Sequence, residues 1–416
     1  MTRKISDCAV TVFDNYWATT LAFARSLGRQ GVPLHFYGSG AGRWSRYCTR
    51  HFRCPPVENA GEFQPWLREK VRSGEISRIA PTTDLMAYHM SALRDDFAPE
   101  VQRTIAPLEE IENCLIKTRF AAINAGADRP ILPTLAPDSL EGAVAAASAL
   151  GYPVMLKPKS HLAVGFSERG QLVANEDDLV RHYRRYSIAP GQESIAALYP
   201  ELAWPLLQRY IASARHQVYS VSGFKDADGG VLTACVSYKR EQWPPDVGVS
   251  TLQISCDDQR ILEAGLGILN RTLSRGIFEV ELLADGDALY AIDLNPRAFG
   301  FLELDLARGA DLPWLWFRST IEGQAPSSPQ PLSNVPIQAR HWFLHFIKVM
   351  ARGITPSRAV AAEENVRKSP RVSVSMLGHR SDPLPMIISN LHLLRHPRSL
   401  VRAQFASSRV ARYRKV

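Results

Sequence analysis

The chain has 416 residues, 45% of them hydrophobic and 22% charged, a composition that excludes disordered and fibrous classes and leaves room for two or three units with sizeable cores. The formal net charge is +8, but seven basic residues and no acidic one fall between Arg395 and Val416, so the body is nearly neutral and nucleic acid is not an expected partner. No stretch approaches 18 apolar residues and the start lacks the apolar core of a signal peptide, so a soluble, cytoplasmic protein is expected.

The six cysteines (Cys8, Cys48, Cys54, Cys114, Cys235, Cys256) form no CxxC or Cys/His pattern, which points to reduced packing residues and not to a zinc site. In chain order, CAVTVF reads as a strand, NYWATTLAFARSLGRQG as a helix stopping at Gly31, and VPLHFYG as a second strand, a βαβ opening without GxGxxG. A strand around ISRIAP precedes a helix that Thr83 and Asp84 can cap.

A second unit begins near Lys117. It runs through the helix-like KTRFAAINAG, the strand PILPTLA and the helix EGAVAAASALG ending at Gly151. The apolar strand YPVMLKPK then delivers Lys157, followed by the loop SHLAVGFSERG, the short strand QLVA, a polar helix from Asp177 and the strand PLLQRYI. Alternating runs over 216–255 read as an antiparallel meander, and a helix near 258–274 leads into FEVELLADGDALYAIDLNPR. From 325, APSSPQPLSNVP reads as a linker. The amphipathic HWFLHFIKVMARG beyond it is most simply core packing, with an interfacial membrane helix as the sharper alternative.

Taken as a hairpin with a three-residue loop (Gly286, Asp287, Ala288), the stretch from Phe278 to Arg297 places Glu281 across from Asp293. Two ionised carboxylates roughly 5 Å apart on one face repel, so a cation is expected between them. Asn295 projects to the same face and adds a neutral oxygen, completing an all-oxygen set of the kind magnesium prefers. Arg297 is next on that face, with a planar fork suited to phosphate or carboxylate. The bland alternative is a solvated edge hairpin. Lys117 and Lys157 could each supply a fixed cation for phosphates, and the loop carrying Ser160, Gly165, Ser167 and Gly170 could cover them.

This order of parts resembles the ATP-grasp superfamily over roughly residues 7–320, most strongly over 151–211 and 276–312. The resemblance implies a mixed α/β and α+β chain: a Rossmann-like preceding domain (1–112), a two-subdomain ATP-grasp unit (113–324, dividing near 207/208) and a C-terminal extension with a basic tail (325–416). It further implies that Lys117 and Lys157 contact ATP phosphates, and that the hinge of Gln208, Arg209, Tyr210 and Ile211 meets adenine through its backbone. Glu281, Asp293 and Asn295 would bind magnesium, or manganese in its place, while Lys239 or Arg240 and Arg297 face the transferred phosphate.

RSLGRQGVPLHFYG, SRYCTRHFRCPP and the late DPLP look most like the stand-alone carboxylate-amine ligases, a group that includes D-aspartate ligase. Four departures stand out. The loop lacks a glycine pair, the hinge begins with glutamine, Asp293 stands where glutamate is usual, and SARHQV replaces the ribose-binding glutamate, with Arg215, His216 or Gln217 as substitutes. His161 and Trp243 read as incidental loop residues, and no covalent-catalysis signature is present. The function implied is ATP-dependent ligation of a small-molecule carboxylate to an amine through an acyl phosphate. The alternatives are phosphoryl transfer to a small-molecule hydroxyl and a non-catalytic ATP-binding protein whose tail, 395–416, docks on a membrane or an acidic partner. A homodimer is the candidate assembly.

Overall fold

The computed structural model describes residues 8–395 except 14–16, 127–130, 164–169, 189, 213–216, 244–247, 323–331 and 346–371. Near the start, β1 (Val10–Phe13), β2 (Leu34–Tyr37) and β3 (Cys48–Phe52) form a parallel sheet in that order, and Ile79 bridges to the free side of β1 in parallel. All four residues of β1 are buried, as expected for a parallel strand covered on both faces. The helix Trp17–Arg29 makes the crossover from β1 to β2, and Gly28 is required there because a Cβ would lie 2.4 Å from the Tyr47 ring. The chain leaving Ile79 enters the helix Asp84–Ala92, which Thr83 caps by accepting a hydrogen bond from Met86 N at 3.1 Å.

A second, antiparallel sheet has the order β4-β7-β5-β6, formed by β4 (Thr134–Leu135), β5 (Val154–Lys157), β6 (Gln171–Val173) and β7 (Leu206–Arg209). The helices Leu140–Leu150 and Glu176–Tyr183, capped by Ser139 and Asn175, cover one face. Ala143, Ala147, Val154, Leu156, Leu179 and Leu207 make the core between them.

The third sheet carries the site. It comprises β8 (Val218–Lys225), β9 (Val231–Trp243), β10 (Val249–Cys256), β11 (Gly276–Asp285), β12 (Ala288–Asn295), β13 (Ile337–Arg340) and β14 (Val372–Ser375), in the order β12-β11-β8-β9-β10-β13-β14. The helix Gln259–Thr272 packs on one face through Ile261, Ile268 and Leu269, against Val221, Val280 and Leu282. It approaches so closely that a Cβ on Gly265 would fall 2.5 Å from a Val221 methyl. The segment beyond 325, expected as a C-terminal extension, contributes β13 and β14 to this sheet.

A buried ion pair ties the same C-terminal segment to the first unit. Arg25 Nε donates to Asp382 Oδ2 at 3.0 Å, and its two other nitrogens donate to the carbonyls of Leu377 and Asp382. All six cysteines are free. Burial, followed by Glu58, pushes the Cys54 thiol up to about 11, as suits an unreactive packing residue. No helix among the described residues is long and apolar enough to cross a membrane.

Candidate active site

Glu281 pairs with Asp293 and Glu279 with Asn295. The route to that register differs from the expectation. The turn is the two-residue Gly286–Asp287, since Asp285 faces Ala288, and one extra residue at Ile292 restores the offset before Asp293. Gly286 takes the left-handed conformation, φ +58°, that such a turn requires. The strand period then puts Glu279, Glu281, Asp293 and Asn295 on one face, away from the helix 259–272.

Lysines from three elements converge on this face. Lys117 Nζ lies 2.9 Å from Asp293 Oδ2 and Lys239 Nζ 3.4 Å from Glu281 Oε1. Lys157 Nζ donates to Gln208 Oε1 at 2.8 Å, and Gln208 in turn donates to Thr134. Lys117 opens its helix with its backbone N–H bonded to Lys159 O, so the chain just after β5 fixes its position.

Burial works against the Asp293 carboxylate, but Lys117, His161 and Lys157 overcome it and hold the group down at about 2. Lys157 is itself pushed down to about 8, by burial first and by Lys117 next, while Asp293 and Glu281 oppose the shift. His161, read as incidental, stands close enough for its charge to favour ionised Asp293 and Asp84.

Two participants have no counterpart in the sequence reading. Glu279, 4% exposed, accepts from Ser220 Oγ at 2.8 Å and from Asn295 Nδ2 at 3.1 Å. Burial and then the neighbouring Glu281 charge raise its carboxyl to about 7. The period-2 acids of FEVEL and the alternating serines Ser220 and Ser222 are the signal that could have found it. Asp84, taken as a capping residue, receives Arg297 Nε at 2.6 Å and Nη2 at 3.3 Å. Arg297 Nη2 also donates to Asn295 Oδ1 at 2.9 Å, so Arg297 links the first unit to the hairpin. Burial opposes ionisation of Asp84, and Arg297 with His161 nevertheless holds its carboxyl low.

Of the paired alternatives Lys239 and Arg240, only Lys239 reaches this face, because consecutive strand residues point to opposite sides. In the hinge, Gln208 is buried beneath Lys157 and Arg209 is exposed. Tyr210 is half-buried, and Ile211 joins Leu132, Val218 and Leu283 in an apolar patch. Gly165, Ser167, Arg215, His216, the Trp243 side chain and the tail 396–416 lie outside the described residues. Gln217 is exposed.

Beside the carboxylates lies a cavity of about 460 Å³, with Glu279, Glu281 and Asn295 in its lining. Thr82 and Asp84 from the first unit, Glu281 and Arg297 from the hairpin, and Met376 and Leu377 from the C-terminal segment all line the cavity. Glu281, Asp293 and Asn295 carry oxygens of the kind a hard divalent cation takes, each with one bonded here to Lys239, Lys117 or Arg297, so a cation would have to displace or share those bonds and take its remaining ligands from phosphate and water. Among the described residues no group of three or more His, Cys, Asp or Glu is arranged to hold a metal ion.

No family model matches the sequence. The chain is 24% identical over 250 residues to the carbamoyl phosphate synthase large chain of Hyperthermus butylicus, covering 57% of this chain and 21% of that protein, so it spans about a fifth of that relative's length. It superposes on the biotin carboxylase domain of Hydrogenobacter thermophilus 2-oxoglutarate carboxylase, a structure in complex with MgADP and bicarbonate, with a TM-score of 0.60. That match has 17% identity and covers 79% of this chain and 73% of the other. The L-amino acid ligase of Bacillus licheniformis superposes with a TM-score of 0.53 at 14% identity, covering 78% and 75% of the two chains. These superpositions show that the chain has the ATP-grasp fold.

Proposed function

We propose that the protein uses ATP with magnesium, or manganese in its place, to join a carboxylic acid to an amine. The observation that carries this reading is the meeting of two opposed carboxylates with Lys117, Lys157 and Lys239 beside a cavity. The backbone of Gln208–Ile211 would meet the adenine edge, with Ile211 anchored in a buried apolar cluster with Leu132, Val218 and Leu283. One pair of strand residues, about 6.6 Å, separates Leu283 from Glu281, a spacing that carries the phosphates towards the acids.

Lys117 and Lys157 neutralise phosphate oxygens, Gln208 holds Lys157 in place, and Glu281, Asp293 and Asn295 would hold the metal. When bound, the metal neutralises and orients the phosphates for in-line transfer. In the first step a carboxylate oxygen attacks the γ-phosphorus and the bond to the ADP oxygen breaks, with Lys239 and Arg297 beside the transferred group. In the second, the amine nitrogen attacks the acyl carbon, the carbon–oxygen bond to phosphate breaks, and the amine gives up a proton. Arg297 stabilises the oxyanion formed on the way. The names of the two superposed enzymes, a carboxylase bound to bicarbonate and an amino acid ligase, support a carboxylate as the acceptor.

The test is a hydroxylamine trap run with ATP, magnesium and a panel of carboxylates. Hydroxamate forming together with ADP is the expected result. A stable phosphate ester would make the protein a kinase, and ATP binding without substrate-dependent ADP release would make it a non-catalytic binder.

A second observation favours a peripheral membrane contact in addition. Leu384, Ile387 and Leu391 are 52%, 45% and 51% exposed along one stripe of the helix Leu384–Arg395, directly before the seven cations of the tail. Co-sedimentation with anionic but not neutral vesicles is the expected result, and equal recovery with both would refute it.

A further inference from the structure

The lining of the 460 Å³ cavity is of two chemical kinds. Asp84, Glu279, Glu281, Asn295, Lys239 and Arg297 are charged or polar, and Phe299, Phe301, Leu344, Met376 and Leu377 are apolar. The apolar part is built from the turn after the hairpin and from the C-terminal segment. Its C-terminal share is fixed, because Arg25 donates to Leu377 O at 2.9 Å and to the Asp382 carboxylate at 3.0 Å with both side chains almost wholly buried.

We propose that this cavity takes a small carboxylic acid carrying an uncharged branched or aromatic group, its carboxylate towards Lys239 and Arg297 and its apolar body against Phe299, Phe301, Leu344, Met376 and Leu377. The assignment rests on the ligase reading and names the acid that reading leaves open. His341 also lines the cavity, and burial pushes it down to about 4, so it is neutral at pH 7. Among the described residues the lysine and arginine of the lining are Lys239 and Arg297, so a second anionic group on the substrate would lose its water without a cation of its own. An acidic amino acid such as aspartate is therefore disfavoured. The volume falls in the lower part of the ~300–1,000 Å³ range of small-molecule sites, enough for one such acid beside the reacting phosphate. Thr82, 1% exposed, also lines the cavity, and its buried Oγ1 has no hydrogen-bond partner among the described residues.

The experiment measures ADP release by the full chain with leucine, phenylalanine and simple branched acids against aspartate, glutamate and glycine. The apolar acids should give kcat/KM values at least about tenfold higher, the scale on which an apolar pocket discriminates. Leu344, half-buried at the cavity edge, tests the wall directly. Leu344→Ala should raise the KM for apolar acids several-fold with the KM for ATP unchanged, and Leu344→Lys should shift preference towards the dicarboxylates. Circular dichroism checks that both variants fold. Wild-type preference for aspartate or glutamate, or an unchanged KM in Leu344→Ala, overturns the pocket assignment and leaves the ligase reading standing. No ADP release with any acid overturns both.

Discussion

Replacing Asp382 by alanine removes the carboxylate that accepts Arg25 Nε at 3.0 Å, Ser45 Oγ at 2.9 Å and Arg46 N at 2.9 Å, in a side chain 1% exposed. Breaking a buried pair by removing one partner costs about 3–5 kcal/mol, chiefly because the remaining charge is stranded. Here Arg25 keeps the carbonyls of Leu377 and Asp382 and has Glu303 at 3.6 Å, so the lower end, about 3 kcal/mol, is expected. Arg25→Met should cost a similar amount. The double variant leaves neither Arg25 nor Asp382 stranded, only Glu303 without its more distant cation, and should lose clearly less than the sum, with a coupling of about 2 kcal/mol. Urea denaturation followed by tryptophan fluorescence measures all four corners of the cycle. Trp316, fully buried and packed on Phe23 of the Arg25 helix with centroids 5.3 Å apart, is a local reporter. Additivity within about 0.5 kcal/mol would refute the argument that these two residues act as a unit.

Three further outcomes follow from named contacts. His89, buried with its ring bonded to Val57 O and Gln64, is held near pKa 4 by burial, below its ordinary 6.5. Its neutral form therefore stabilises the fold fully above pH 6.5, and about 3 kcal/mol is lost as pH falls from 6.5 to 4. Denaturation at pH 7 and pH 4 should show a smaller pH loss in His89→Gln, and an identical loss would refute the assignment. Gly265→Ala drives a Cβ to 2.5 Å from Val221 and should destabilise by about 1–3 kcal/mol despite the better helix propensity of alanine, with Val221→Ala restoring part of it. A more stable single variant would contradict that packing. Asp84→Asn takes the charged partner from Arg297 and should lower kcat by about 10²-fold with the KM for ATP unchanged, the scale of a misplaced reacting group. Steady-state kinetics that leave kcat intact would remove Asp84 from the positioning of Arg297.

Local features of the site were legible because period and punctuation are local. The apolar run ending in Lys157, the Thr83 cap and the alternation on either side of Gly286 all survive in the structure. The opposition of Glu281 and Asp293 was reached through a wrong turn length, which the extra residue at Ile292 offsets. What the sequence could not reveal depends on long-range contact. Asp84 and Arg297 stand 213 residues apart and Arg25 and Asp382 357 apart, and no short pattern marks either pair. The four-residue strands β13 and β14 carry too little local signal to betray that they complete the large sheet. Glu279 was passed over because an acid on a central strand reads as solvated until Ser220 and Asn295 are seen enclosing it.

The central claim is that Glu281 and Asp293 hold metal-bound ATP. Calorimetric titration of ATP with and without magnesium, on the wild-type protein and on the Glu281→Gln/Asp293→Asn double variant, tests it most directly. The account predicts magnesium-dependent binding in the wild type, and in the variant at least about tenfold weaker binding that no longer responds to magnesium. Equal affinity and equal magnesium dependence in the two proteins would contradict it.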